Sequence, residues 1–363
     1  MSTQTPTAPS RPESTPEFDL AAESGNRLPR FAGWGLFVLG ALLAAAPTAL
    51  LGWSTGLFVV LAVVLGTLVT WGVSRAVEGR RKSTDRLVTC LVSSAFAIAM
   101  VPLFSLVYTV VSNGVGRLDA EFFTSSMVGV VGEGGGAYHA IMGTLIVTAL
   151  ATLISVPIGV MAAIYLVEYG NRGKLSKWIT FLVDVMTGIP SIVAGLFAYA
   201  LFALLFGPGV RLGVAGAVAL SVLMIPVVVR SVEEVLKLVP NELREAAYAL
   251  GVPKWRTIIK VVLPTAAAGL GTGITLAIAR VVGETAPLLI TVGITTALNF
   301  NPFDGRMATL PVYAYYQLTQ PGVPPEFGIS RAWTAALLLI ILVMALNLIA
   351  RLISRVFAPK TNR

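Results

Sequence analysis

Eight runs of about 20 apolar residues dominate this 363-residue sequence. A helix needs about that length to cross the hydrocarbon layer, where no water can satisfy its backbone polar groups. The runs cover 32–52, 55–74, 87–111, 138–167, 178–206, 212–229, 261–294 and 332–350. Charged residues make up 12% of the chain, about half of the ~25% typical of soluble domains. The sequence therefore predicts an all-α polytopic membrane protein with about eight transmembrane helices.

Lysine and arginine set the orientation, because positive residues stay on the cytoplasmic side. With the N-terminus inside, 21 of the 26 Lys and Arg residues fall in inner segments. Arg117, Arg211, Arg306 and Arg331 fall outside, and Arg280 lies within a span. Both termini are thus expected in the cytoplasm of a cell with a plasma (inner) membrane. The net charge of +8 reflects this topology and contact with membrane lipid, and does not require nucleic acid.

The chain divides by composition. Residues 1–31 carry Pro6, Pro9, Pro12 and Pro16 among Ser, Thr and Glu, which predicts a disordered cytoplasmic tail. A transmembrane hairpin follows at 32–74, turned by Gly52-Trp53-Ser54. Residues 75–137 hold an inner loop, the third span and a long outer loop. Residues 138–356 hold the remaining spans and the inner loop 231–260, and 357–363 form a second tail. Gly129, Gly132, Gly134, Gly135 and Gly136 in the outer loop read as a flexible connection rather than an anion nest. The outer segment 295–331 also stands out by length.

Several chemistries are excluded. Cys90 is the one cysteine and His139 the one histidine, so neither a disulfide nor a His/Cys metal cluster is possible within the chain. The phosphate-loop pattern G-x-x-x-x-G-K-[ST] does not occur. Gly79 to Thr84 lacks the required glycines, and Gly129 to Gly136 lacks a lysine. No nucleophile–base pair argues for an enzyme, and no cofactor is expected on this chain.

A charge at mid-bilayer costs about 2.5–3.5 kcal/mol, so each needs a reason. Arg280 and Glu284 are four apart, so they share a helix face and can pair. In one reading Arg280 meets a passing oxyanion, for which its planar donors are suited, while Glu284 compensates its charge in the empty state. In the other they are a structural intrahelical pair. As one helix, 261–294 would be about 50 Å long, so it must tilt, protrude or break, with Pro287 a candidate break point. Arg230 closes the sixth span, where it either releases anion to the cytoplasm or snorkels to headgroups. Asp184 sits at the inner end of the fifth span. Thr187, Ser191 and Thr285 offer hydroxyls to the same pathway, although hydroxyls in spans often bond their own backbone. Gly269, Gly271 and Gly273 let a neighbouring helix come close, as fixed packing or as a moving seam.

The inner loop after the sixth span is the most informative stretch. Asn241 offers an N-cap for a helix over 242–250, Gly251 a C-terminal stop, and Pro253 a first-turn residue for a second helix running into the seventh span. The expected product is a compact helix–turn–helix knob. Glu245-Ala246-Ala247, Gly251, Val261 and Leu263-Pro264 resemble the conserved loop of ABC importer permeases, with Val261 where that pattern has Ile. The stretches 143–169, 186–199 and 279–293 resemble, more narrowly, the phosphate-specific permeases. The likeness covers about 138–356 well and 87–111 loosely. The 32–74 hairpin lies outside it, since six spans are expected of that family.

The resemblance implies a type I ABC importer permease core that forms half of a translocation pathway for inorganic phosphate. It implies three protein partners: a homologous second permease, a cytoplasmic ABC ATPase dimer and an external phosphate-binding protein. The 240–264 loop would dock the ATPase, which alone uses ATP. Glu245, Ala246, Ala247, Gly251, Leu263 and Pro264 are the coupling candidates; Arg280, Glu284, Arg230, Thr285 and Ser191 are the pathway candidates. Two other readings stay open: a permease for molybdate, sulfate or phosphonate, and a secondary transporter or channel acting alone.

Overall fold

The computed structural model describes residues 28–29, 31–50, 54–170 and 173–357. Most of both expected tails and the Gly52-Trp53 turn lie outside the described residues. Among the described residues there is no strand. The helices are α1 (Ala32–Leu50), α2 (Thr55–Glu78), α3 (Arg80–Gly114), α4 (Ala120–Thr124), α5 (Tyr138–Ile164), α6 (Lys174–Thr187), α7 (Ser191–Phe206), α8 (Gly213–Lys237), α9 (Asn241–Ala249), α10 (Lys254–Thr257), α11 (Leu263–Val282), α12 (Ala286–Thr291), α13 (Leu310–Thr319) and α14 (Pro325–Phe357). Seven of these helical stretches are long and apolar enough to cross a membrane, and an eighth if the bent pair α6–α7 counts as one.

The span expected at 178–206 is this bent pair. α6 and α7 meet at 108°, with Gly188, Ile189 and Pro190 between them. Pro190 has no N–H to donate and forces its predecessor out of the helical region. It then serves as the residue that opens α7, at φ −57° and ψ 138°. The long seventh span is also broken. α11 stops at Gly283, and α12 starts beyond Thr285 with Pro287 in its first turn. The break precedes Pro287 because proline is well tolerated where a helix begins.

The chain forms two compact units, Met1–Leu106 and Val107–Arg363. In the first, α1 and α2 touch backbone to backbone. A Cβ on Gly40 would fall 2.3 Å from Gly66 Cα, so only glycine permits this approach. At the end of α2, the buried Glu78 carboxylate pairs with Arg86 at 2.6 Å and accepts from Ser74.

In the second unit, α8 is the central helix. Leu220, Met224, Val228, Val229, Val232 and Leu236 lie fully buried along it. α5 packs on α8 where Gly159 meets Val228. α11 packs on α8 where Gly269 meets Val235 and Gly273 meets Ser231. α7 meets α12 through Gly195 and Pro287. The start of α13 docks on α5: the Leu310 N–H donates to Thr144 Oγ1 at 2.7 Å.

The glycine-rich segment 129–136 departs from the flexible connection expected of it. Arg331, 4% exposed, donates from Nη1 to the carbonyls of Gly132 and Gly134 at 2.8 and 3.0 Å. Arg117 Nη2 donates to the Gly135 carbonyl at 3.0 Å, and the Gly135 N–H donates to Glu121 Oε1 at 2.9 Å. Glycine supplies the left-handed backbone at 129, 132, 134 and 135, and the arginines hold the shape.

Candidate functional site

The 240–264 loop folds as a knob at the C-terminal end of α8. Pro240 and not Asn241 occupies the position before α9, with φ −57° and ψ 138°. Asn241 is the first helical residue, and its Oδ1 accepts from Arg244 Nη1 at 3.3 Å. Gly251 takes a φ of 73° and lets the Val252 N–H return to the Ala247 carbonyl at 3.1 Å, which closes α9 in the manner of a glycine stop. α10 follows at once and passes through a π turn, Ile258–Val262, into α11. Leu263 and Pro264 begin α11. Pro264 lacks the donor that a regular helix would use there.

Of the coupling candidates, Ala247 is buried, whereas Glu245, Ala246 and Gly251 are exposed. Beside them stand Leu250 at 83% exposure and Trp255 at 55%. Apolar side chains this exposed on a short loop, beside an unpaired carboxylate, make a contact surface rather than a core.

One residue that sequence reasoning passed over fixes the knob. Arg244 Nε and Nη2 both donate to Glu168 Oε1, at 3.1 and 2.8 Å. Its Nη1 donates to the Val239 carbonyl at 2.6 Å, and its Nη2 to the Leu236 carbonyl at 3.0 Å. Arg244 thereby adds charged donors to carbonyls at and just beyond the end of α8 while gripping the π turn Tyr165–Tyr169 that extends α5. The pair is 12% and 4% exposed. Only a separation of 76 residues hid it from sequence reading.

Arg230, near the inner end expected for the sixth span, belongs to a chain of alternating charge. It pairs with Asp184 of α6 and with Glu233 at 3.0 Å, and Glu233 pairs with Lys237 at 2.7 Å. The sequence placed Asp184 at an interface but did not connect it to Arg230.

Arg280 and Glu284 do not form the pair that their spacing allows. The helix ends between them at Gly283, so Glu284 leaves the helical register. Arg280 is exposed, Glu284 is half-buried, and neither makes an ion pair among the described residues. The contacts of Gly269 with Val235 and of Gly273 with Ser231 fix an antiparallel register between α11 and α8. Continued along both helices, it sets Arg280 level with Met224, near the middle of α8. Thr285 precedes α12 and Ser191 opens α7; both are half-buried. The candidate cations thus stand at separate heights, Arg280 about two turns, or ~10 Å, from the level of Ser231 and its neighbour Arg230.

Residues 155–363 match the family model described as binding-protein-dependent transport system inner membrane component. The phosphate transport system permease protein PstA of Mycobacterium leprae is 47% identical over 76% of this chain and 90% of its own length. PstA 1 of Mycobacterium tuberculosis is 46% identical over 80% of this chain and 94% of its own. The corresponding permease of Pasteurella multocida is 40% identical over 78% of this chain and 97% of its own. Among solved structures, an inward-facing MetNI methionine ABC transporter matches 62% of this chain and 95% of its own, at 23% identity and a TM-score of 0.49.

Proposed function

The chain belongs to the binding-protein-dependent inner-membrane permease family and, within it, to the phosphate transport permeases; from that premise we propose that it is the membrane subunit of an ATP-driven phosphate importer. It forms half of the translocation pathway, and a homologous second permease supplies the other half. A cytoplasmic ABC ATPase dimer drives it and uses the ATP. An external phosphate-binding protein delivers the anion. The N- and C-termini face the cytoplasm.

One observation carries the proposal: a rigid knob with an exposed, unpaired tip. Glu245, Ala246, Gly251, Leu250 and Trp255 are free to enter a groove on the ATPase, while Arg244 ties their helix to α5 and α8. Small residues allow close approach, and the charge orients the contact. Leu263 and Pro264 pass displacement of the knob into α11, the helix that carries Arg280. Arg280, unpaired and level with the middle of α8, is the residue proposed to meet phosphate in transit. Glu284 and Thr285 at the break after α11, and Ser191 at the start of α7, complete the pathway side. Arg230, already paired to Asp184 and Glu233, is its inner end.

ATP-dependent uptake of labelled phosphate tests this, in vesicles holding the chain with its partners and with sulfate and molybdate as competitors. Phosphate-selective uptake that needs ATP is the expected result. Uptake without ATP would replace the proposal with a secondary transporter, and block by another oxyanion would change the substrate.

A further inference from the structure

Two arginines converge on Gly293 with no carboxylate to neutralise them. Arg211 lies in the link between α7 and α8, and Arg306 lies between α12 and α13. A Cβ on Gly293 would stand 2.8 Å from Arg211 Cδ, 3.2 Å from Arg211 Nη1 and 3.4 Å from Arg306 Cδ. Gly293 has a φ of 70°, so the position favours glycine for its backbone as well as for the space it leaves.

The backbone carrying these side chains is fixed. The Leu212 N–H donates to the Thr291 carbonyl at 3.1 Å, Val214 N–H to Pro302 at 2.8 Å, and Met307 N–H to Val292 at 3.3 Å. Val292 and Met307 are buried. Each arginine is therefore one residue from an anchored position.

Their electrostatics set them apart from most arginines of this unit. Arg117, Arg230, Arg244 and Arg331 each have a carboxylate or carbonyl partner. Among the described residues, neither Arg211 nor Arg306 has an ion-pair or side-chain hydrogen-bond partner. Asp304, two residues from Arg306, is exposed and pairs with neither. α8 begins two residues after Arg211, and the positive end of its dipole adds to the same field. The stems of both side chains pass the same point beside Gly293, and like charges brought into one neighbourhood repel unless a counter-charge is supplied.

We propose that Arg211 and Arg306 form a binding site for a small inorganic oxyanion at the end of the unit where α8 begins. Guanidinium groups match the oxygen geometry of a tetrahedral oxyanion, which spherical anions lack. The site lies at the start of α8, 11 residues or about 17 Å along that helix from the level of Met224 and hence from Arg280. Its use as an external waiting position for phosphate rests on the importer reading; the anion site itself does not.

The test uses the full-length chain in nanodiscs of zwitterionic lipid, in an Arg280→Ala background that removes the mid-height cation. Equilibrium binding of labelled inorganic phosphate is measured at low ionic strength, with sulfate as competitor. Saturable binding is expected in this background. It should weaken by about tenfold or more in R211Q/R306Q and return in part in R211K/R306K. Arg306 is exposed, so R306Q alone preserves the fold, and a weakening of about threefold is expected there. Equal binding in the R306Q and parent chains would overturn the proposal. So would a parent that binds neither phosphate nor sulfate, which would assign the pair to an acidic group on a protein partner. The importer reading fails by a different sign: wild-type vesicles show no ATP-dependent phosphate uptake while this binding persists.

Discussion

Arg244 and Glu168 are joined by two hydrogen bonds to a single carboxylate oxygen, although 76 residues separate them. The same guanidinium holds the Leu236 carbonyl of α8 and the Val239 carbonyl just beyond it. One side chain thus ties together the end of α5, the end of α8 and the helix that presents Glu245.

Breaking that tie leaves a buried charge without its partner, which costs about 3 kcal/mol or more. Glu168→Gln and Arg244→Ala are expected to lower the thermal midpoint of the purified assembly. Both should also raise ATP hydrolysed per phosphate transported, since the knob then moves without carrying α5 and α8. Unchanged coupling in both variants would restrict the pair to a structural role.

Arg280→Ala is expected to abolish phosphate uptake with the assembly intact. Arg280→Lys keeps the charge but loses the planar fork and should retain only partial uptake. A wild-type rate in the alanine variant would remove Arg280 from the pathway.

Glu245 has no ion-pair or hydrogen-bond partner among the described residues, so reversing its charge disturbs contacts outside them. Glu245→Lys should reduce copurification of the ATPase and lower coupled hydrolysis, with the thermal midpoint of the isolated chain unchanged. Normal copurification contradicts the assignment.

Gly143 measures how tightly α13 docks on α5. A Cβ there would fall 1.9 Å from the Ala308 carbonyl oxygen, a backbone atom that cannot swing aside. Gly143→Ala should cost about 1–3 kcal/mol. Gly72→Ala meets nothing within 4 Å and, in the interior of a helix, should be neutral or mildly stabilising.

Burial pushes the Tyr313 hydroxyl up to about 12, against the lowering effect of Arg331 and Arg117. A raised folded-state value means its contribution is complete below about pH 10, the unfolded value, and is lost as pH rises towards 12. The hydroxyl is buried without a partner, so Tyr313→Phe removes nothing that was bonded. This variant should match or exceed wild-type stability at pH 8 and show a smaller loss between pH 10 and 12, read by thermal melts.

The architecture was legible wherever local chemistry decides it. Apolar runs gave the spans, and Gly251 and Pro253 gave the two knob helices. What stayed hidden depends on distant partners or on competing local rules. Arg244 reads as one more loop cation until Glu168 is brought beside it. The glycines at 132 and 134 look mobile until Arg331, nearly 200 residues later, binds their carbonyls. Arg280 and Glu284 carried a valid helical spacing, but Gly283 ended the helix between them. In 178–206 the run is apolar apart from Asp184 and a few hydroxyls, so hydropathy passed over a bend that Pro190 imposes by geometry.

Synthesis order gives the Glu168–Arg244 pair a history as well as a geometry. At about 5–20 residues per second, the ribosome makes Glu168 several seconds before Arg244 exists. Throughout that interval the carboxylate must stay hydrated, which suits its place in the last turn of a membrane helix rather than its middle. The pair can close only after α6, α7 and α8 have been made, so its closure records that three later helices have reached their places.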